Sequence, residues 1–268
     1  MKTRQAKRIA LDVTEAVFSR TLDMTLWSVA YLTVLPFTYS MHEPQWKAQV
    51  EADSLLSAVN YDRIKRAIVS ARHRGLVKKS KRHAWPQMTE AGKKRLASVV
   101  PVYEAKRPWD ERLHLVTYDI PETQSDDRRL LRDFLRQIGC GRLQDSVWLT
   151  PYNPVDLLRT FVDERNLQSS LIVSDMGKDG AIGEEKISDL IVRVYELEKI
   201  NQQYEEWIAN VERQGNPDHW LLLSYLSILK DDPQLPFVLL PKWWKGDHAY
   251  RLIEKDMEKV SKLFRSEK

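Results

Sequence analysis

The sequence lacks most of the features from which disulfide scaffolds, membrane spans and cysteine-rich metal sites are built. Cys140 is the only cysteine among 268 residues, which excludes an intrachain disulfide and a four-cysteine zinc site. No apolar run approaches the ~20 residues that cross a bilayer, and no apolar core follows the basic N-terminus Met1–Lys7, as it would in a secretory signal. We therefore expect a cytoplasmic protein without a membrane partner.

The motifs of common enzymes are also missing from the sequence. The six histidines are scattered, and there is no His-Glu-x-x-His pair, no P-loop and no Gly-x-Ser-x-Gly elbow. Gly139-Cys140-Gly141 looks like the start of a dinucleotide loop, but it lacks the third glycine and lies between a helix and a strand, which is the wrong order. Cys140 has no base near it in sequence, so a packed, small apolar residue is favoured.

Charge, by contrast, is present in quantity and unevenly distributed. The formal net charge is only +4, from 42 Lys and Arg against 38 Asp and Glu. Residues 60–100 hold twelve basic and two acidic residues, a net charge of +10, so the rest of the chain carries −6. A basic segment in an acidic chain favours a polyanionic partner. A run of charge by itself is more often a solvated surface, so the fold of residues 60–100 decides between the two interpretations.

The first 100 residues contain the signals of several helices and one hairpin. The predicted elements are, in chain order, a buried helix over Thr25–Leu35 that Pro36 ends, a helix over Pro44–Val59, a helix over Tyr61–Arg74 between the N-cap Asn60 and the C-terminal Gly75, a hairpin over Leu76–Met88 with a basic tip at Lys78–His83, and a helix capped by Thr89. This order, with Met-Thr-Glu-Ala-Gly after the hairpin, is the layout of a winged helix-turn-helix domain.

The apolar spacing in the helix over 61–74 predicts which of its residues face a partner. Ile64, Ile68 and Ala71 recur at helical spacing and form its apolar side. Such a helix enters the major groove while the hairpin reaches phosphates. The predicted DNA contacts are Arg63, Lys65, Arg66 and Ser70 in the groove, with Arg66 as the best candidate for a base edge, and Lys78, Lys79, Lys81 and Arg82 at the phosphates. The alternative is a small helical module whose basic residues only keep it soluble.

A second domain is predicted after a proline-containing linker over 99–108. Its elements are a strand over Leu113–Ile120, a helix over Asp126–Ile138, a strand over Leu143–Thr150, a helix over Pro154–Asn166 and a strand over Ser170–Ser174. This alternation over about 65 residues fits a ferredoxin-like α+β sandwich in which one further strand is hidden from the sequence.

The apolar spacing of the remaining residues predicts a helical third domain after the glycine-containing segment 175–183. A single apolar helical stripe runs from Ile187 to Val211. It either closes a core within the chain or forms part of a subunit interface, and the sequence leaves both open. A helix over Trp220–Leu229, a proline-punctuated loop over Asp231–Pro241 and a helix over His248–Phe264 follow.

Asp119 is the one candidate for metal chemistry. It ends the first central strand, shortly before Pro121, and carboxylate oxygens are the ligands that Mg²⁺ prefers. A single carboxylate is a poor metal site unless a dimer brings its twin opposite. We therefore favour a structural role, in which Asp119 caps the following turn or pairs with an arginine of the 126–138 helix.

Two stretches of the sequence resemble the PaaX-type repressor family. The first is Trp109-Asp110, then Leu115-Val116-Thr117-Tyr118-Asp119-Ile120-Pro121-Glu122, Arg128-Arg129-Leu130-Leu131-Arg132-x-Phe134-Leu135, Gly139 and Leu143-Gln144-x-Ser146-Val147-Trp148. It is similar to the family's central domain, which in turn resembles the small CRISPR-associated ferredoxin-like nuclease of spacer integration. The second, Asp232-Pro233-x-Leu235-Pro236-x-x-Leu239-Leu240-Pro241-x-Trp243-x-x-Gly246-x-x-Ala249-Tyr250, resembles the family's C-terminal signature.

With the winged helix, this resemblance covers nearly the whole chain and implies a dimeric transcriptional repressor. In the namesake members an aryl-acyl-CoA, phenylacetyl-CoA, relieves DNA binding, and these members govern aromatic-acid catabolism. The resemblance implies DNA-binding roles for the 60–74 helix and the 78–83 tip, but assigns no residue to the effector. The likeness to the nuclease carries over Asp119 alone, at the strand-end position that binds metal there.

The sequence thus predicts an α+β protein with a winged helix-turn-helix domain at 1–100, a ferredoxin-like dimerisation or sensing domain at 109–176, and a mainly helical domain at 184–268. We expect a sequence-specific regulator that binds a double-stranded DNA operator as a homodimer, without a bound cofactor. It is expected to be a repressor relieved by a small acyl-CoA-type effector. The alternatives are a Mg-dependent endonuclease acting through Asp119, and a scaffold with neither activity.

Overall fold

The structure, a computed structural model of the chain, describes residues 21–34, 61–79, 86–165, 170–176, 186–215 and 219–264. It combines helices with antiparallel sheets, so the predicted α+β class is confirmed. The chain divides into two compact units, one made of 1–103, 203–231 and 245–268, the other of 104–202 and 232–244. The three successive functional domains stay a prediction, since residues 184–268 contribute to both units.

Helices dominate the first unit, and a four-stranded sheet organises the second. In chain order the described elements are α1 (Thr21–Val34), α2 (Tyr61–His73), β1 (Val77–Lys78), β2 (Gln87–Met88), α3 (Glu90–Ala97), β3 (His114–Asp119), α4 (Ser125–Gln137), β4 (Gly141–Gln144), β5 (Val147–Thr150), α5 (Val155–Arg165), β6 (Ser170–Asp175), α6 (Ile187–Val194), α7 (Leu197–Gln214), α8 (His219–Asp231) and α9 (Gly246–Phe264). None of these helices is long and apolar enough to cross a membrane. The predicted helix over 44–59 and the cap Asn60 lie outside the described residues.

The N-terminal part of the first unit packs around α1. Leu26 and Trp27 of this helix are 0% and 1% exposed, which confirms the predicted buried helix. Helix α2 packs against α1 and buries Ala67 and Ala71, while Ile68, predicted to be in the core, is only half-buried. The small alanine side chains allow the two helix backbones to approach closely, so this contact depends on close packing rather than on large apolar groups.

The C-terminal part of the first unit has an aromatic core between α7 and α8. Trp207 is 2% exposed, and its Nε1 donates a hydrogen bond to the carbonyl oxygen of Leu221 at 2.8 Å. Its ring lies 5.3 Å from that of Tyr225, in the tilted arrangement that aromatic quadrupoles favour. Helix α9 buries a stripe at helical spacing: Ala249, Ile253, Met257 and Val260.

The sheet of the second unit has the strand order β4-β5-β3-β6, with every neighbouring pair antiparallel. Together with α4 and α5 the chain runs strand, helix, strand, strand, helix, strand, which is the ferredoxin-like order. One face of the sheet packs on the two helices around a buried cluster: Val116, Tyr118, Ile120, Leu131, Leu135, Cys140, Trp148, Leu158 and Phe161. The predicted ferredoxin-like domain is confirmed.

The predicted strand over 143–150 is two strands in the structure. β4 and β5 form a hairpin with a tight turn at Asp145 and Ser146. Neighbouring β3 holds this turn, since the hydroxyl of Tyr118 donates to the carbonyl oxygen of Asp145 at 2.9 Å and its backbone N–H donates to that of Ser146 at 3.2 Å. β4 is the strand that the sequence left hidden.

The predicted uninterrupted helical stripe from Ile187 to Val211 is wrong at one point, because α6 ends and α7 begins around Tyr195 and Glu196. Glu196 has a φ of 50°, a left-handed conformation that a right-handed helix does not continue. The hydroxyl of Tyr195 donates to the carbonyl oxygen of Leu149 at 2.8 Å, on the hairpin. Tertiary contact with β5 thus coincides with the break.

Candidate nucleic-acid interface and central domain

Helix α2 exposes two of the four residues predicted to enter a DNA groove. Lys65 and Arg66 are exposed, and Ser70 is half-buried. Arg63 belongs to the same helix, but its side chain lies outside the described part of the structure. The solvent-exposed side of α2 therefore carries Lys65, Arg66 and Arg72, together with the apolar Val69, which is 47% exposed.

The C-terminal end of α2 is closed by a glycine turn. Gly75 has a φ of +68°; its N–H donates to the carbonyl oxygen of Arg72 at 3.0 Å, and Leu76 N–H donates to that of Ala71 at 2.8 Å. This pair of bonds is the Schellman arrangement, which requires a left-handed residue at the position of Gly75. The predicted C-terminal cap is confirmed, and it aims the chain directly into β1.

Thr89 joins this turn to the start of α3. Its hydroxyl donates to the carbonyl oxygen of Gly75 at 2.6 Å and accepts the N–H of Gly92 at 3.2 Å. A Cβ at Gly92 would overlap the carbonyl oxygen of Leu76, so only glycine allows α3 to lie this close to the turn. The Met-Thr-Glu-Ala-Gly segment therefore has a specific structural role, because it fixes the base of the hairpin against α2.

The hairpin pairs Val77 with Met88 and Lys78 with Gln87. Val77 is 2% exposed and anchors the hairpin in the unit, whereas Lys78 and Lys79 are exposed at the start of the tip. Lys81 and Arg82, the other two residues predicted at phosphates, lie outside the described residues.

An ion pair that the sequence reasoning missed ties α3 to α1. The guanidinium of Arg95 donates from Nε and Nη2 to the two carboxylate oxygens of Asp23, both at 2.9 Å. The Asp23 side chain is 3% exposed. Because the partners are 72 positions apart, no local pattern could reveal them. Arg95 belongs to the basic segment 60–100, but its charge is paired with Asp23 inside the first unit.

The basic side chains that remain on the surface cluster on α2 and the hairpin. The exposed Lys and Arg of the described part of 61–100 are Lys65, Arg66, Arg72, Arg74, Lys78, Lys79 and Lys94. Lys93 is half-buried and pairs with Glu90 at 2.8 Å. The arrangement offers a polyanion several cations on adjacent elements of one small module.

In the central sheet, Asp119 is exposed at the end of β3, where its register partner on β6 is Ser170. The arginines of α4 bind other groups, so the expected pairing of Asp119 with one of them is not found among the described residues: Arg132 donates to Tyr118, and Arg136 to Asp133. Nor does the described part of the chain hold three or more His, Cys, Asp or Glu side chains grouped to bind a metal.

Cys140 belongs to the buried cluster of the second unit and is 6% exposed. Burial raises the pKa of its thiol to about 12, although a hydrogen bond with Thr150 acts in the opposite direction. The nucleophilic thiolate is therefore scarce near neutral pH. The prediction of a packed, small apolar residue is confirmed.

A second polar cluster absent from the sequence prediction joins the ends of β3 and β6. His114 is 2% exposed; its Nδ1 lies 2.6 Å from Oδ1 of Asp175 and its Nε2 lies 3.4 Å from Oδ2 of Asp110. Arg112 donates to the other oxygen of Asp175 at 2.8 Å. The hydrogen bonds from Arg112 and then from His114 lower the pKa of Asp175. The cluster fastens the edge strand at its C-terminal end.

Comparisons with known proteins agree with this architecture. Residues 106–187 match the family model of the PaaX protein central Cas2-like domain. Among solved structures, the uncharacterized protein Rv0674 from Mycobacterium tuberculosis is similar over 88% of this chain and 94% of its own, with a TM-score of 0.52 and 15% sequence identity. At that identity the likeness shows a shared fold alone. No curated protein matches the sequence.

The matched residues contain the whole ferredoxin-like sandwich from β3 to β6, together with the Arg107–Trp109 segment before it. They include each residue through which the central part of the sequence resembled the PaaX-type family. The comparison therefore shows that residues 106–187 are similar to the central Cas2-like domain of PaaX proteins.

Proposed function

We propose that this protein is a sequence-specific, DNA-binding transcriptional repressor that acts as a homodimer and is relieved by a small acyl-CoA-type effector. The likeness of residues 106–187 to the central domain of PaaX proteins supports a regulator of the phenylacetic acid pathway. The observation that carries the proposal is the basic surface of α2 and the hairpin, where Lys65, Arg66, Lys78 and Lys79 are exposed on one rigidly capped module.

The two elements divide the proposed contact between them. Residues of α2, namely Arg63, Lys65, Arg66 and Ser70, face the major groove, and Arg66 contacts a base edge, since a guanidinium matches the two acceptors of guanine. Lys78 and Lys79, with Lys81 and Arg82 of the tip, neutralise phosphates. The Gly75 turn fixes the angle between helix and hairpin, so both can engage one duplex.

The direct test is binding of the full chain to its own promoter region, measured by fluorescence anisotropy over a salt series. The double variant Lys78→Ala/Lys79→Ala is expected to weaken binding to every sequence and to flatten the salt slope by about 1 for each lost phosphate contact. Arg66→Ala is expected to cost about 1–3 kcal/mol on the operator and to relax its sequence preference.

A matched control is Lys242→Ala/Lys255→Ala, which removes two exposed lysines far from the hairpin in sequence. It should leave the affinity and the salt slope unchanged. Equal slopes for the wild type and both double variants would refute the proposed interface, and binding without any salt dependence would refute the assignment as a whole.

The effector is tested separately by a thermal-shift screen of acyl-CoA thioesters. A ligand that binds only the native state raises the melting temperature, by an amount that grows with its concentration above Kd. The expected hit also releases the promoter fragment. A thioester that stabilises the chain without releasing DNA would contradict relief of repression.

A second function, metal-dependent nuclease, has one observation in its favour: Asp119 is exposed at the end of β3 of a Cas2-like domain. Cleavage of duplex and single-stranded DNA with Mg²⁺ or Mn²⁺ should be compared between the wild type and Asp119→Ala. Cleavage that disappears in the variant would favour the nuclease, whereas the repressor proposal expects none in either protein.

A further inference from the structure

Helix α4 carries a row of arginines on its outer side. Arg128, Arg132 and Arg136 follow one another at intervals of four residues, so they stack along one face of the helix about 6 Å apart. Together with Arg129, Ser125 and Asp133 they line a shallow groove of about 290 Å³. This groove lies within the second unit and is distinct from the basic surface of α2.

Two guanidinium groups of the row are held in place by the domain core. Nε of Arg132 donates to the hydroxyl of Tyr118 at 3.0 Å, and Tyr118, 6% exposed, is itself fixed by its bond to the carbonyl oxygen of Asp145. The guanidinium of Arg136 lies 5.7 Å above the ring of the fully buried Trp148, a cation–π distance. These arginines are therefore pre-oriented before any ligand arrives.

Arg128, the first arginine of the row, is only partly engaged by the fold. Its side chain is 26% exposed, yet its Nε is buried and has no hydrogen-bond partner. The nearest carboxylate is that of Glu122, whose oxygen is 3.8 Å from Nη1 and whose side chain is 97% exposed. An anion in the groove can therefore contact the exposed part of the Arg128 side chain, but not its buried Nε.

The acidic neighbours of the row do not block such an anion. Arg129 pairs with Asp126 at 3.3 Å and Arg136 with Asp133 at 3.0 Å, both at i,i+3 on the exposed side of the helix. Solvent-exposed pairs of this kind contribute little, so a ligand of higher charge density can replace the carboxylate. The same carboxylates disfavour an extended polyanion, because a DNA backbone following α4 would pass Asp126 and Asp133.

We infer that the arginine groove of α4 is a binding site for a small pyrophosphate-bearing ligand. The helix places successive members of the row about 6 Å apart along its axis, so a pyrophosphate is long enough to contact neighbouring guanidiniums with both of its phosphates. Guanidinium forks suit phosphate oxygens because they donate two parallel hydrogen bonds. The site is separate from the proposed DNA interface and does not depend on it.

The test is calorimetric titration of the full chain with inorganic pyrophosphate at constant ionic strength, without DNA. Saturable binding of one pyrophosphate per chain is expected, and Arg128→Gln should weaken it at least about tenfold. Asp133→Asn should strengthen it several-fold, because it removes the carboxylate that competes for Arg136. Arg159→Gln, an exposed arginine in an equivalent i,i+3 pair on α5, is the matched control and should leave the affinity unchanged.

Asp133 is exposed and Arg128 is partly exposed, and circular dichroism spectra verify that both variants fold. Absence of saturable binding, or an equal loss in Arg128→Gln and Arg159→Gln, would overturn the inference. So would the opposite specificity: no pyrophosphate binding, but weaker binding of Arg128→Gln than of the wild type to operator-free DNA. That last result would assign the groove to the DNA backbone.

Discussion

The module formed by α1, α2, the hairpin and α3 and the central sheet domain are held together by different forces. The central domain closes on a large apolar cluster that includes Trp148 and Leu135, both 0% exposed. The module between α1 and α3 buries small side chains such as Ala67 and Ala71, and depends on directed contacts: the Arg95–Asp23 pair and the Thr89–Gly75 bond. Packing should thus dominate the stability of one region, and individual polar groups that of the other.

Their arginines differ in the same way. On α4 each arginine of the row contacts a carboxylate, a hydroxyl or an aromatic ring of its own domain. On α2 and at the start of the hairpin the described basic side chains are more exposed: Lys65, Arg66, Arg72, Lys78 and Lys79. Net charge therefore predicts an interface poorly unless the internal partners of each cation are known.

The largest effect is expected from the apolar core of the central domain. Leu135→Ala should lower its free energy of unfolding by about 2–5 kcal/mol, because the substitution removes buried methyl groups and leaves a cavity. Hydrogen-exchange mass spectrometry should show faster exchange across β3–β5 and an unchanged α2 hairpin. Leu157→Ala, at a side chain that is 53% exposed, is the control and should change stability by less than about 0.5 kcal/mol.

The Arg95–Asp23 pair should give the next largest effect. Arg95→Gln leaves the buried carboxylate of Asp23 without its guanidinium, a loss of about 1–3 kcal/mol confined to the module. Lys93→Gln removes the Lys93–Glu90 ion pair of the same helix, whose carboxylate is exposed, and should cost no more than about 1 kcal/mol. Denaturant melts that rank the two variants equally would show that directed contacts do not set the stability of this region.

A smaller effect is expected at the turn after α2. Gly75→Ala forces a Cβ into a left-handed conformation and should cost about 1–2 kcal/mol. Gly75→Asn should cost less, because asparagine tolerates this conformation. Thermal melts check the order. If alanine and asparagine behave alike, the φ of Gly75 is not what limits the substitution.

The smallest effect is expected at the exposed carboxylate that fastens β6. The folded-state pKa of Asp175 lies below its ordinary 3.8, so its stabilising contribution is present above that value and is lost as the pH falls through the lower, folded-state pKa. Wild type and Asp175→Asn should differ in stability above about pH 5 and converge in strong acid. In an Arg112→Gln background the difference should shrink, because the largest cause of the shift is gone.

Local sequence patterns predicted the structure correctly where residues that are close in space are also close in sequence. The apolar spacing of α4 predicted its buried face, and Leu131 and Leu135 are indeed 0% exposed. Gly75 and Thr89 indicated the two ends of the hairpin, because left-handed caps and N-caps have specific residue preferences. The ferredoxin-like order followed from the alternation of strands and helices, except for β4.

Local signals failed where a distant residue decides the conformation. The turn between β4 and β5 is held by Tyr118 from another strand, and Tyr195, at the break between α6 and α7, bonds to a carbonyl on β5. The His114–Asp175 cluster joins two strands through residues that are 61 positions apart. None of these partners lies within the window from which a periodic pattern is recognised.

The sequence by itself determined the α+β class, the helix caps at Gly75 and Thr89 and the central Cas2-like domain, because each depends on short-range spacing. Only the tertiary structure decided which basic side chains bind groups within the protein. Arg95 is held by a buried carboxylate on another helix, and Arg132 by a tyrosine in the sheet. A basic side chain that already binds a group within the fold is less available to an external partner. Those internal contacts form only when the chain folds.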